Sequence, residues 1–141
     1  MFRYALLAAT VSLSLSACAP MGVESKEALH DAFEAPVAYQ DAYQRARDQA
    51  EMCLRGESQH PVEGSLDQGQ QSAQVYVHAP FTKNRLASVD IQAIDTTHSQ
   101  VKVAMWGVNV WDEHAVTAMR DAIMLGVPTC RSYMPVNERS R

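Results

Sequence analysis

Ser88-Val89-Asp90-Ile91-Gln92-Ala93 and Val101-Lys102-Val103-Ala104-Met105, separated by the turn-like Asp95-Thr96-Thr97-His98-Ser99, decide the fold class of this chain. Val89, Ile91 and Ala93 alternate with Ser88, Asp90 and Gln92, and Val101, Val103 and Met105 alternate with Lys102 and Ala104. Side chains of a strand point alternately to opposite faces, so a period of two with one apolar side reads as a half-buried strand. Two such runs joined by a short polar turn predict an antiparallel hairpin with one face on a core and the other in water. Working backwards, Val75 and Val77 alternate with Gln74, Tyr76 and His78 until Pro80 breaks the run, which gives a third strand. On the outer face Asp90 and Gln92 should meet Lys102, an opposite-charge pairing that contributes a few tenths of a kcal/mol.

Outside the strands the period changes. Between Val37 and Leu54, the residues Tyr39, Ala42, Tyr43, Ala46, Ala50, Cys53 and Leu54 recur at spacings of three and four, while Asp41, Gln44, Arg45, Asp48 and Glu51 fall elsewhere. That pattern is one stripe of an amphipathic helix. Gly56 follows where a left-handed closing residue belongs. A second helix is expected to run to Leu125, capped by Asn109 or Asp112, with Trp111, Ala115, Ala118, Met119, Ala122 and Ile123 as its apolar face. Asp112 and Glu113 suit its positive end. Gly126 and Pro128 mark its stop. The predicted class is therefore α+β, in the order α-β-β-β-α, with both helices on one face of an antiparallel sheet of three strands. A fourth strand would have to hide in the stretch from Gly56 to Ser72. Those residues, rich in turn formers and holding only Val62 and Leu66 as sizeable apolar groups, read as a loop. A loop of that length is uncommon and is a candidate interaction surface.

The N-terminus carries a different signal. Arg3 precedes an apolar run from Ala5 to Leu15, and Leu15-Ser16-Ala17-Cys18 follows. This resembles the lipobox of bacterial lipoproteins, in which the cysteine becomes the lipidated first residue of the mature chain. The run is too short to span a bilayer, which takes roughly 20 apolar residues. The resemblance implies a cleaved signal peptide over 1–17 and a thioether-linked diacylglycerol with an amide-linked acyl chain on Cys18, with no other cofactor. Two or more chains make a stable anchor. Ala19 in place of aspartate implies sorting to the outer membrane, facing the periplasm. Residues 18–36 would be the lipidated N-terminus and a tether, with a helical turn where Leu29 and Phe33 sit four apart. The folded domain would cover 37–131, and 132–141 would be a disordered tail. The layout also resembles several families of small uncharacterised proteobacterial envelope lipoproteins, which offer no activity to carry over. The pattern of peptidoglycan-binding envelope modules is not recognisable.

Composition narrows the partners. The chain has 141 residues and a formal net charge of −4, and its leader holds a single charged group, Arg3. An acidic mature domain without a basic stripe argues against nucleic acid and against an electrostatic grip on anionic lipid. With Cys18 assigned to lipid, Cys53 and Cys130 remain as a pair in an oxidising compartment, and a disulfide between them would tie the two helix exits together. The alternative is two buried free thiols.

Catalytic signatures are missing. The five histidines, His30, His60, His78, His98 and His114, show no ligand spacing for a metal. No G-x-S-x-G, S-x-x-K or phosphate-binding glycine loop occurs. Tyr76, Phe81, Trp106 and Trp111 remain as an aromatic group around the sheet. If Val101, Val103 and Met105 face the core, Trp106 and Lys102 point to the other side. Trp106 then either packs at the sheet margin or joins Tyr76 and Lys102 in a partner-docking patch. The expected function is a non-catalytic, membrane-anchored envelope lipoprotein that contacts another envelope protein. The alternative is a small-ligand binder with its ligand between helices and sheet.

Overall fold

The computed structural model describes residues 21–57, 59–107 and 111–130. The predicted signal peptide, Cys18, Ala19, the candidate cap Asn109 and the tail over 132–141 lie outside the described residues. The elements are β1 (Ala28–Ala35), α1 (Tyr39–Cys53), β2 (Val62–Asp67), β3 (Ser72–His78), β4 (Arg85–Ala93), β5 (Ser99–Trp106) and α2 (Glu113–Leu125). The five strands form one antiparallel sheet in the order β1-β5-β4-β3-β2. α1 packs over β2, β3 and β4, and α2 over β1 and β5, so both helices cover the same face.

The α+β class, the three central strands and both helices follow the sequence reading. Val75, Val77, Val89, Ile91, Val101, Val103 and Met105 line the inner face and are all buried. The alanines Ala42, Ala46 and Ala50 bring α1 close to them, and Met119, Ile123 and Trp111 close the core from α2 and its approach. Burying each such Val, Ile or Met side chain contributes about 1.5–3 kcal/mol. Asp112 caps α2 by accepting a hydrogen bond from the Ala115 N–H (3.1 Å), and Gly126 ends it at φ +75°.

The strand count differs, because the sheet has five strands rather than three or four. The stretch assigned to a tether with a helical turn contains β1, which pairs with the whole of β5. Leu29 and Phe33 share a face at a spacing of four in a helix, but also in a strand, where Asp31 falls between them. Asp31 faces inward and meets Arg120 of α2 at 3.1 Å, while the Arg120 guanidinium covers the Phe33 ring at 4.9 Å. An ion pair on the inner face thus broke the apolar alternation. The stretch read as a loop contains β2, whose inward residues are Val62, Gly64 and Leu66. Gly64 leaves room there for the Tyr43 ring: a Cβ would lie 2.7 Å from its hydroxyl oxygen, so the ring would have to shift.

The two helices are joined by a ladder on α1. Arg45, Gln49 and Cys53 follow one another at intervals of four and so lie along one stripe. The Arg45 Nη1 donates to the carbonyl oxygens of Ile123 (2.8 Å) and Met124 (3.3 Å), filling acceptors left open at the end of α2. Gln49, fully buried, donates to Thr129 O (2.9 Å) and accepts from Thr129 N–H (2.8 Å). Cys53 forms a disulfide with Cys130. The sequence pattern puts Arg45 off the packing stripe, and its long side chain reaches α2 from the stripe's edge.

Candidate functional site: the open sheet face

Strand register assigns every outward residue to a row. One row runs His30, Ala104, Ser88, Tyr76, Glu63, and the next Ala32, Lys102, Asp90, Gln74, Ser65. Tyr76 and Lys102 therefore share the face opposite the helices, two strands apart, with β4 between them. Small residues occupy much of the first row, Val23 of the N-terminal segment lies beside it, and no described helix packs on it. The second row is polar. Asp90 accepts hydrogen bonds from Gln74 Nε2 (2.6 Å) and Ser88 Oγ (3.2 Å). Lys102 stands opposite Asp90 in register but forms no ion pair among the described residues. The expected cross-strand charge pair is thus replaced by hydrogen bonds from β3 and β4, which leave the Lys102 ammonium exposed to solvent.

Below these rows, Gln92 donates to the carbonyls of Gln70 and Gln71, and Gln100 donates to the carbonyl of Phe33. A shallow depression of about 610 Å³ runs over Ser65, Gln74, Asp90, Gln92, Gln100 and Lys102. Its wall offers amide groups, the two carboxylates of Asp67 and Asp90, and one ammonium, most of them placed by strand geometry. That surface can hydrogen-bond peptide or other polar groups without contributing a nucleophile.

No family model, curated protein or solved structure matches the chain.

Trp106, the third residue of the predicted patch, is partly buried and packs against the core, with Ala28 of β1 beside it in register. The added strand gives the indole a neighbour, so it belongs to the sheet margin. Tyr76 is partly covered as well. The Arg85 guanidinium lies 4.4 Å from its ring centroid, and the His78 ring meets it edge-on at 5.2 Å. His78 Nε2 in turn lies 3.5 Å from Glu63 Oε2. Of the predicted trio, Lys102 alone is exposed.

The remaining candidates scatter. His60 is buried with its ring edge-on to Trp111 at a centroid distance of 6.1 Å. Burial holds its pKa below the ordinary imidazole value, against an opposing contribution from the His78 main chain. His98 sits in the β4–β5 turn, where Asp95 Oδ1 accepts from Thr97 N–H (2.7 Å) and His98 N–H (2.8 Å). Those backbone donors, Thr97 first, hold the Asp95 carboxyl down at about 2. Among the described residues, no three His, Cys, Asp or Glu side chains come together as metal ligands would. No described helix is long and apolar enough to cross a membrane. One residue that the sequence placed among the sheet aromatics stands apart from them: Phe81 is fully exposed at φ +63°. Pro80 before it, at the corner of a turn, was the available signal.

Proposed function

We propose that the chain is a non-catalytic envelope lipoprotein, held at the outer membrane through acyl chains on Cys18, that offers its open sheet face to a protein partner in the periplasm. The observation that carries this reading is the uncovered polar face, with Lys102 unpaired above the Asp90–Gln74–Ser88 cluster. Antiparallel sheets tolerate one solvated face, so exposure alone is ordinary. A fixed array of amides beside an unpaired ammonium adds the elements of specific polar recognition. The lipobox match at Leu15–Cys18 supports the location, and the acidic mature domain leaves attachment to lipid.

Two measurements test it. A fatty-acid label should enter the wild-type chain and not Cys18→Ser; equal labelling overturns the anchor. A photo-crosslinking amino acid at Lys102 or at Gln74 should yield the same adduct in cells, and Lys102→Glu should abolish the adduct formed from position 74. If neither position yields more than Arg47, exposed on α1, the open face is not the contact surface.

A further inference from the structure

The β3–β4 connection, residues 79–84, is ordered by its own hydrogen bonds. Ala79 N–H donates to Asn84 O (3.0 Å), Thr82 N–H to Ala79 O (3.3 Å), and Asn84 N–H to Thr82 Oγ1 (3.2 Å). Within it, Ala79 to Thr82 form a tight turn with Pro80 and Phe81 at the corners. A turn with positive φ at its third residue usually places glycine there. Phe81 occupies that place at φ +63°, a conformation that is costly for a bulky side chain, and its ring touches solvent on every side. Strained residues persist where function calls for them. An apolar ring held rigidly outward at a backbone cost is a contact group in search of an apolar surface.

The chain's own N-terminal side says which surface that is. Met21, itself exposed, lies with Val23 and Glu24 against Lys83, Asn84 and Arg85 around a concavity of about 330 Å³. Val23 N–H donates to Arg85 O (2.9 Å), fixing this segment to the start of β4. Gly22, at φ +89°, passes so close to the Arg85 carbonyl that no side chain fits. Two residues lie between Cys18 and Met21, and the three steps along the chain reach at most about 11 Å. Acyl chains on Cys18 would therefore hold the bilayer beside the loop that carries Phe81 and Lys83.

We propose that this loop is a second membrane contact, with Phe81 seated at the headgroup level of the phospholipid bilayer and Lys83 reaching its phosphates. The inference rests on the lipid anchor proposed above. One exposed ring binds a membrane weakly alone, but the tether makes its contact intramolecular and raises its effective concentration. Such a contact would fix the orientation of the domain, with the ends of β3 and β5 towards the lipid and the β4–β5 turn away from it.

The test uses the full mature chain, purified with its lipid, in vesicles of phosphatidylethanolamine and phosphatidylglycerol with brominated acyl chains. Bromine should quench the added tryptophan emission of Phe81→Trp at least twofold more than that of Thr96→Trp, at the far end of the sheet. Equal quenching in a chain that floats with the vesicles overturns the loop contact and leaves the anchor standing. A chain that does not float, or floats equally well as Cys18→Ser, removes the anchor and the loop contact with it. Phe81→Trp emission that shifts with protein density in unbrominated vesicles would assign Phe81 to a second copy and overturn the lipid contact. Phe81→Gly, which suits the turn, should raise the melting temperature yet lose the domain's fixed orientation; a retained orientation, read from a fluorophore at position 96, overturns the proposal.

Discussion

His60 shows how little of a residue's environment is written beside it. In the sequence it precedes Pro61 in a polar stretch, the place of a solvated loop histidine. In the fold its ring lies under Trp111, with neither ring nitrogen hydrogen-bonded among the described residues. Burial disfavours its cation, so its folded pKa lies below the free value of 6.5. The unfolded chain then binds the proton more readily. Stability from this group is complete above pH 6.5 and declines as the pH falls from there towards the folded pKa, by up to about 1.4 kcal/mol per pH unit. Chemical denaturation across that window should show the decline, and His60→Phe should remove part of it. A variant whose pH profile matches the wild type would exclude His60 as the source.

At the scale of elements, what could be read depended on whether the local period was clean. β4, β5 and both helices carry unbroken patterns, and their bounds lie within a few residues of the expected ones. β1 and β2 each present two large apolar residues four apart, a spacing common to strand and helix, with Asp31 or Gly64 interrupting the inner face. Both interruptions are answered across the layers, by Arg120 and by the Tyr43 ring, and a partner on another element leaves no mark in local sequence. The same holds for Gln49, whose polar side chain occupies a core position because it pairs with the Thr129 backbone. Gln49→Ala should cost about 1–3 kcal/mol, since it removes two hydrogen bonds to the Thr129 backbone, each worth about 0.5–1.5 kcal/mol. Urea unfolding under oxidising conditions is the measurement, because the Cys53–Cys130 bridge must be intact in both proteins for the comparison to hold.

For the whole molecule, the fold class was legible and the sheet order was not. Local periodicity places strands but does not say that the first strand pairs with the last, which is what sets β1 at the edge beside β5. The candidate patch is reshaped for that reason: Trp106 keeps its place on the Lys102 face but is partly buried at the sheet margin beside Ala28, while Lys102 is exposed. The far-off partner of β1 also has a mechanical consequence. The disulfide closes a covalent loop from residue 53 to residue 130, and β1 lies outside it. Tension arriving through the N-terminus first meets the bond from Val23 to Arg85 and then the Ala28–Trp106 end of the β1–β5 ladder. Those pairs would open one after another, as a zipper does, rather than all at once. Pulled from its N-terminus and from Cys130 in a single-molecule experiment, the oxidised protein should yield β1 and α1 at low force. Beyond residue 53 the covalent loop should not lengthen until a reductant is added, so the bridged body acts as a load limit behind a strand that gives way first.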